Sequence, residues 1–410
     1  MKRWYLFAQK ACLITACAVL LPDMYESARQ SILGWPRQAA REGLISDTLI
    51  IKKQGLETAM VADFSGSTWN STPTEQTTNP TQTSQTANPA QTSQTANPAQ
   101  TNQTQTTPRV IRTDTRSSFS EGPGKEYAPV MSMTQPIVGY LGGSKLHFLS
   151  NQTNSQMLSA IVETNQGKLI VIDGGTADDG PHLAQALAAK GGHVDAWLIT
   201  HPHSDHVGAL YHIIQHPEYG ITTDNVYYSF PDLSWYREYE SGRADMVEAT
   251  LNAFAALPPG TLHGDIDKGQ EIVVDNVKIT VMNRPYLFAK NSINNSSVAY
   301  MLDINGRKAL FLGDMGEEAG KQLIADYPPE QLKCDIVQMA HHGQQGVGFE
   351  VYRILQPEIC LWGAPEWLWN NDSGSGMDSA NFKTIETRKW MAQLGVPFHL
   401  CIKDGDQVIQ

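Results

Sequence analysis

From about Ile137 onward, runs with a strand's period of two alternate with runs of helical period. Leu158–Glu163 and Lys168–Asp173 read as a hairpin-like pair of strands, and Leu183–Lys190 as a helix. The run Val194-Asp195-Ala196-Trp197-Leu198-Ile199 predicts a buried strand, and Val207-Gly208-Ala209-Leu210-Tyr211 begins an apolar-periodic helix. Met246–Ala256 is then helical, Glu271–Met282 holds two short strands, and Ser297–Asp303 pairs with Ala309–Gly313. The remainder reads as helix Glu317–Asp326, strand Asp335–Met339, helix Phe349–Leu355, strand Ile359–Trp362, helix Asn381–Leu394 and strand Phe398–Lys403. Two β-rich halves, each closed by helices, predict a four-layer αββα sandwich of the α/β class over residues 137–410, a length suited to one domain.

The preceding third of the chain follows other rules. Lys2, Arg3 and Lys10 lead into an apolar stretch from Ala11 to Leu21 that stops at Pro22, the charge-then-apolar order of a signal peptide or short membrane anchor over residues 1–22. Residues 23–75 have room for a helix or two and receive no function. The nonapeptide Gln-Thr-Ser-Gln-Thr-Ala-Asn-Pro-Ala occurs at 82–90 and again at 91–99. A segment this poor in charge and large apolar side chains cannot bury enough surface to offset its conformational entropy. Residues 76–136 therefore read as a disordered Thr/Gln/Asn/Pro-rich linker, and with the leader they suggest an exported protein, extracellular or membrane-anchored in a bacterium.

Composition narrows the partners. Residues 109–410 hold 22 basic and 35 acidic side chains. So acidic a domain opposes tight binding of duplex nucleic acid, which depends on neutralising phosphates. Cys334, Cys360 and Cys401 sit singly in strand-like runs with no C-x-x-C spacing, as small buried hydrophobes do.

The chemistry concentrates in Thr200-His201-Pro202-His203-Ser204-Asp205-His206. A loop that leaves a strand's C-terminal end and opens into a helix is where α/β proteins place their sites. Imidazole nitrogens and carboxylate oxygens suit zinc, manganese or iron. His201 and His203 lie on one side of an extended segment, and Asp205 and His206 can aim at a second metal. This H-x-H-x-D-H loop resembles the signature of the metallo-β-lactamase superfamily, whose αββα sandwich agrees with the predicted layers.

The resemblance organises the other candidates. Leu169–Gly175 ends a strand in Asp173, which in the family supports the metal loop and here would orient a ligand imidazole. Ala309–Asp314 delivers Asp314, a candidate to bridge two cations. Asp335–Gly343 ends in His341 and His342; His342 is the favoured ligand and His341 the alternative. The order Asn295-Ser296-Ser297-Val298, Gly313-Asp314, His341-His342-Gly343 resembles the metallo-β-lactamase-like domain of ComEC-type DNA-uptake proteins and their soluble exported relatives. The chain departs from that branch at Ser150–Ser155, where an Asp-Val-Gly-Gln-Gly-Asp turn is usual, at Gln344 in place of Ser, and at 370–376, where a Gly-His-Pro segment is missing. His212, His216 and His263, the candidates for a further site-one imidazole, fit poorly.

The resemblance implies a metal-dependent hydrolase with two divalent ions, zinc or manganese, held by His201, His203, Asp205, His206, Asp314 and His342. Asp205 would also steer the attacking hydroxide. The expected substrate is a small or single-stranded phosphoester, with a lactam, lactone or thioester carbonyl as the alternative reaction. A non-catalytic exported binding module that keeps the fold is the rival from another class.

Overall fold

Period-two alternation separates the layers. Along Tyr300–Ile304, residues Tyr300, Leu302 and Ile304 enter a core shared by two sheets, while Met301 enters a second core behind its own sheet. Ala309 and Phe311 divide from Leu310 and Leu312 in the same way. Each fully buried side chain of this size contributes about 1.5–3 kcal/mol, so a one-residue slip in register would expose a whole row.

The protein is represented by a computed structural model that describes residues 126–410 and, before them, the backbone of Thr48–Lys53, Leu56–Ala62, Trp69–Pro73 and Arg109–Val110. The predicted leader 1–22 and, apart from Arg109–Val110, the linker residues 76–125 lie outside the described residues. The chain divides into units 1–103 and 104–410. In the first, Thr48–Lys53, Leu56–Ala62 and Trp69–Pro73 form an antiparallel three-stranded sheet. Strands thus stand where residues 23–75 had room for helices, as the β-branched Thr48, Ile50 and Ile51 favour.

The second unit carries the two large sheets. The first has nine strands in the spatial order Leu262–His263, Val226–Tyr227, Ala196–Leu198, Leu169–Asp173, Ser159–Glu163, Lys145–Phe148, Gln407–Ile409, Ile137–Val138 and Arg109–Val110. The second has seven: Glu271–Val274, Val277–Val281, Tyr300–Ile304, Arg307–Phe311, Ile336–Gln338, Ile359–Trp362 and Phe398–Cys401. Leu183, Leu187, Val207, Leu210 and Phe254 pack helices Gly180–Ala188, Ser204–Gln215 and Ser241–Phe254 onto the first core. Leu323, Val351, Leu355 and Met391 bring Glu317–Asp326, Phe349–Leu355 and Thr384–Gln393 onto the second. This is the αββα sandwich that the sequence pattern predicts. Cys334, Cys360 and Cys401 are buried and none of the three forms a disulfide. Among the described residues no helix is long and apolar enough to cross a membrane.

Two features differ from the sequence reading. Residues 126–136 belong to the folded unit, not to the linker. Met133 N donates to His399 O at 2.8 Å, and the buried Arg388 guanidinium donates to Val130 O at 2.9 and 2.7 Å. Backbone bonds and one buried arginine hold this segment, so its side-chain pattern carries no signal. The last strand, Gln407–Ile409, leaves the second half and inserts between Lys145–Phe148 and Ile137–Val138 of the first sheet.

Candidate metal centre

Parallel pairing brings the candidate residues to one edge. Ala196–Leu198 runs parallel to Leu169–Asp173, and Arg307–Phe311 parallel to Ile336–Gln338, so their C-terminal loops emerge side by side. Val298 N donates to Thr200 O at 2.8 Å and His341 N to Gly313 O at 3.0 Å, which ties these loops together. The helix after the metal loop starts at Ser204, three residues earlier than its apolar pattern suggests, so Asp205 and His206 occupy its first turn.

Local backbone explains the motifs. Gly313 has φ 56°, and a Cβ there would lie 2.8 Å from Thr200 Cβ; only glycine lets the strand turn into Asp314 against the metal loop. Asp314 N donates to Ser297 Oγ at 3.1 Å, and Asn295 Oδ1 accepts from Gly316 N and Ala319 N at the start of the next helix. The Asn-Ser-Ser motif is thus the brace of the Gly-Asp turn. His341, His342 and Gly343 are consecutively left-handed, with φ 51°, 57° and 85°. Such backbone costs about 1–3 kcal/mol per non-glycine residue and persists where surrounding structure over-determines it.

Two donor sets result, sharing one carboxylate. Asp205, His206, Asp314 and His342 offer atoms mutually within 4.8 Å, and so do His201, His203 and Asp314. His206 Nε2 lies 3.2 Å from Asp314 Oδ1, and His342 Nε2 lies 3.3 Å from Asp314 Oδ2 and 3.2 Å from Asp205 Oδ2. His201 Nε2 stands 3.1 Å from His203 Nδ1 and 3.8 Å from Asp314 Oδ2. Asp173 orients both sets: its Oδ1 accepts from Thr200 N at 2.8 Å, and its Oδ2 from Thr200 Oγ1 and His206 Nδ1, each at 2.7 Å. Since the Thr200 hydroxyl spends its proton on Asp173, it accepts from His201 Nδ1 at 3.1 Å. Both imidazoles thereby turn Nε2 towards the cluster, the nitrogen that can ligate once its proton is displaced.

Residues 154–351 match the family model of the metallo-β-lactamase superfamily. Residues 154–351 thus mark a metallo-β-lactamase superfamily domain. That superfamily consists mostly of hydrolases and typically binds divalent metals. No curated protein sequence matches the chain. Similar solved structures include the metallo-β-lactamase fold protein YhfI from Bacillus subtilis, 10% identical, covering 65% of this chain and 99% of that one at a TM-score of 0.40. The metallo-β-lactamase GOB-18 from Elizabethkingia meningoseptica is 15% identical, with 69% and 95% covered and a TM-score of 0.33. A mutant of the CmlA β-hydroxylase is 12% identical, with 65% and 54% covered and a TM-score of 0.39.

The residues of this metallo-β-lactamase domain fit divalent ions. Asp314 is 1% exposed, yet its Oδ1 accepts no hydrogen bond, and His206 Nε2 and His342 Nε2 converge to 3.3 Å. Two crowded imidazoles and an unsatisfied buried carboxylate oxygen are a penalty that a cation, taking the place of the imidazole protons, relieves. His342 is brought into this cluster. His341 stands at its edge, 18% exposed, with Nε2 at 3.9 Å from Asp314. His212 and His216 stack on each other at 4.2 Å, and His263 stacks on Tyr227 at 4.6 Å; the cluster forms without them. Asn294 instead stands 3.3 Å from His341, its buried Oδ1 without a hydrogen-bond partner. Asn294 and Gln156, whose amide is 3.3 Å from Asp205 Oδ2, had no motif or spacing to announce them, and Thr200, at the head of the His-rich loop, had no assigned role.

Protonation follows from the packing. Burial pushes His201 well below the usual imidazole range and His203 down to about 4. Burial also opposes charge on His206 and His342, but it is outweighed by Asp314 and Asp173 at His206 and by Asp314 and Asp205 at His342. His206 is held well above its usual range and His342 is raised to about 9. Asp314 is buried, yet the neighbouring imidazoles His206, His342 and His341 hold it well below the carboxylate range.

A pH test follows. His342 titrates near 6.5 when unfolded and at about 9 when folded. Its contribution to the metal-free fold is complete below about 6.5 and is lost as pH rises through about 9. His203, lowered to about 4, acts oppositely and removes stability as pH falls from about 6.5. Chelated protein is expected to melt highest near pH 6–7 and to lose stability towards pH 9, about the range these titrations define. Metal titrated in at pH 7.5 should expel about two protons per chain, read by calorimetry in buffers of different ionisation enthalpy. A flat melting profile from 6.5 to 9 with no proton release would refute this charge assignment.

Proposed function

We propose that the protein is a metal-dependent phosphodiesterase, and the observation that carries this reading is Asp314 shared between two donor sets. His201, His203 and Asp314 would hold one divalent ion, and Asp205, His206, His342 and Asp314 a second, zinc or manganese by donor type. Such ions supply Lewis acidity, lowering the pKa of water from ~15.7 towards ~7 and offsetting charge on a developing oxyanion. Asp205 has the most exposed carboxylate of the cluster, at 16%, and is placed to orient an entering water and take its proton. Asp173, through Thr200 and His206, keeps the imidazoles in the tautomer that binding requires.

Two donor sets sharing Asp314 would hold a pair of divalent ions, and such a pair would supply the charge stabilisation that an in-line displacement at phosphorus needs. The ComEC-like order of Asn-Ser-Ser, Gly-Asp and His-His-Gly supports the same choice. The acidic domain favours a small or single-stranded phosphodiester over duplex DNA. The charged-then-apolar start and the neutral repeats before the domain support an exported or membrane-tethered protein.

Metal analysis of the purified full chain, paired with hydrolysis of bis-p-nitrophenyl phosphate and a lactam panel, tests this. The expected result is about two ions per chain, phosphodiester turnover, and its loss on chelation. Lactam turnover alone would move the substrate to a carbonyl. A metal-loaded but inert protein would make the domain a binding module.

A further inference from the structure

A chain of side-chain amides ends on Asp205. Gln344 Nε2 donates to Gln156 Oε1 at 2.9 Å, and Gln156 Nε2 donates to Asp205 Oδ2 at 3.3 Å. The direction is forced from the carboxylate end. An ionised Asp205 only accepts, so Gln156 must present its NH₂ there, and its carbonyl is left for the NH₂ of Gln344. The same Asp205 oxygen meets His342 Nε2 at 3.2 Å.

The backbone around Gln156 is anchored to both halves of the fold. Met157 N donates to Gly363 O at 3.4 Å, and Leu158 N donates to Asp205 O at 3.1 Å. Gln344 is 7% exposed, and its own N donates to His341 O at 2.9 Å. One glutamine therefore comes from the turn before Ser159–Glu163, the other from the turn that carries both histidines. Asp205, the most exposed carboxylate of the cluster, would otherwise be the least constrained of its acids.

We propose that Gln156 and Gln344 form an amide relay that positions Asp205, tying one carboxylate oxygen to the His342 side and leaving the other to face entering water. This inference rests on the hydrolase reading of the same site. Gln156 is a positioning residue, acting through Asp205; Gln344 acts through Gln156.

The experiment compares Gln156→Ala, Gln156→Glu, Gln344→Ala and the double alanine variant with the wild-type full chain. Bis-p-nitrophenyl phosphate kinetics are paired with cobalt(II) titration followed by its visible absorption. Gln156→Ala should lower kcat or cobalt affinity about 10–100-fold, the range for groups that orient metal ligands, with KM little changed. Gln156→Glu, nearly isosteric, should be worse than alanine because it sets a second carboxylate against Asp205. Gln344→Ala should cost less, and the double variant should resemble Gln156→Ala, since the relay is then already broken. If Gln156→Glu matches wild type in cobalt spectrum and kcat while alanine fails, the glutamine only fills space and the relay is overturned.

The cobalt readout separates the two ideas. A wild type inert on every phosphodiester and on the lactam panel, with a spectrum that changes in Gln156→Glu and Gln344→Ala, refutes the hydrolase reading and keeps the relay. An active wild type whose glutamine variants retain both kcat and spectrum refutes the relay and keeps the hydrolase. Gln344→Ala, two bonds from Asp205, covers the case in which the Gln156 variants fail to fold.

Discussion

Asp314→Ala is expected to empty both metal positions together and to lower phosphodiester turnover by on the order of 10³-fold, near the upper end for removing one stabilising group from a preorganised site. The reason is topological, since Asp314 belongs to both donor sets. Without it, one set keeps only His201 and His203, and the other Asp205, His206 and His342. Asp205→Ala makes the contrast, because Asp205 belongs to one set alone and its loss should spare the His201/His203 position. Metal content after dialysis, measured beside bis-p-nitrophenyl phosphate hydrolysis, distinguishes the two. An Asp314→Ala protein that keeps its full metal complement would show that this carboxylate does not bridge.

Asp173→Ala should act chiefly on stability, destabilising the fold by about 3–5 kcal/mol, the cost of breaking a buried charge-assisted network. Asp173 is fully buried and accepts from Thr200 N, Thr200 Oγ1 and His206 Nδ1. Alanine would leave all three donors without partners. Asp173→Asn keeps one acceptor but presents an NH₂ to a donor, and should cost about 1–3 kcal/mol. Asp173 also sits at φ 54°, a strained conformation held only because these bonds repay it. Chemical denaturation of chelated protein reads the stability loss, and metal titration should show affinity lowered about 10–100-fold. Wild-type stability in Asp173→Ala would mean the network is not what holds the metal loop.

Legibility in the sequence follows the range of the forces involved. Glu317–Asp326 and Ile359–Trp362 are found at the predicted residues because apolar periodicity is a local property. Ser204–Gln215 starts early because its first turn carries the polar Ser204, Asp205 and His206 rather than apolar residues, and periodicity is blind to it. Leu233–Tyr239 and Lys145–Phe148 were not anticipated, being too short for a period to stand out. The boundary at 137 is too late because Arg388, more than 250 residues away, holds Val130.

What the sequence determined alone was the set of available donors and the strand ends that bear them: H-x-H-x-D-H after one strand, Gly-Asp after another, His-His-Gly after a third. These are covalent facts, and adjacency along the chain is enough to display them. Only the tertiary structure decided which donors meet. Left-handed backbone at His341 and His342 brings the second ring into the cluster and leaves the first at its edge. Parallel pairing of Arg307–Phe311 with Ile336–Gln338 sets Asp314 beside them. Gln156 reaches Asp205 across 49 positions, and Gln344 reaches Gln156 across 188. Contacts of that separation leave no periodic trace, because they are selected by the packing of two sheets and not by neighbours in the chain.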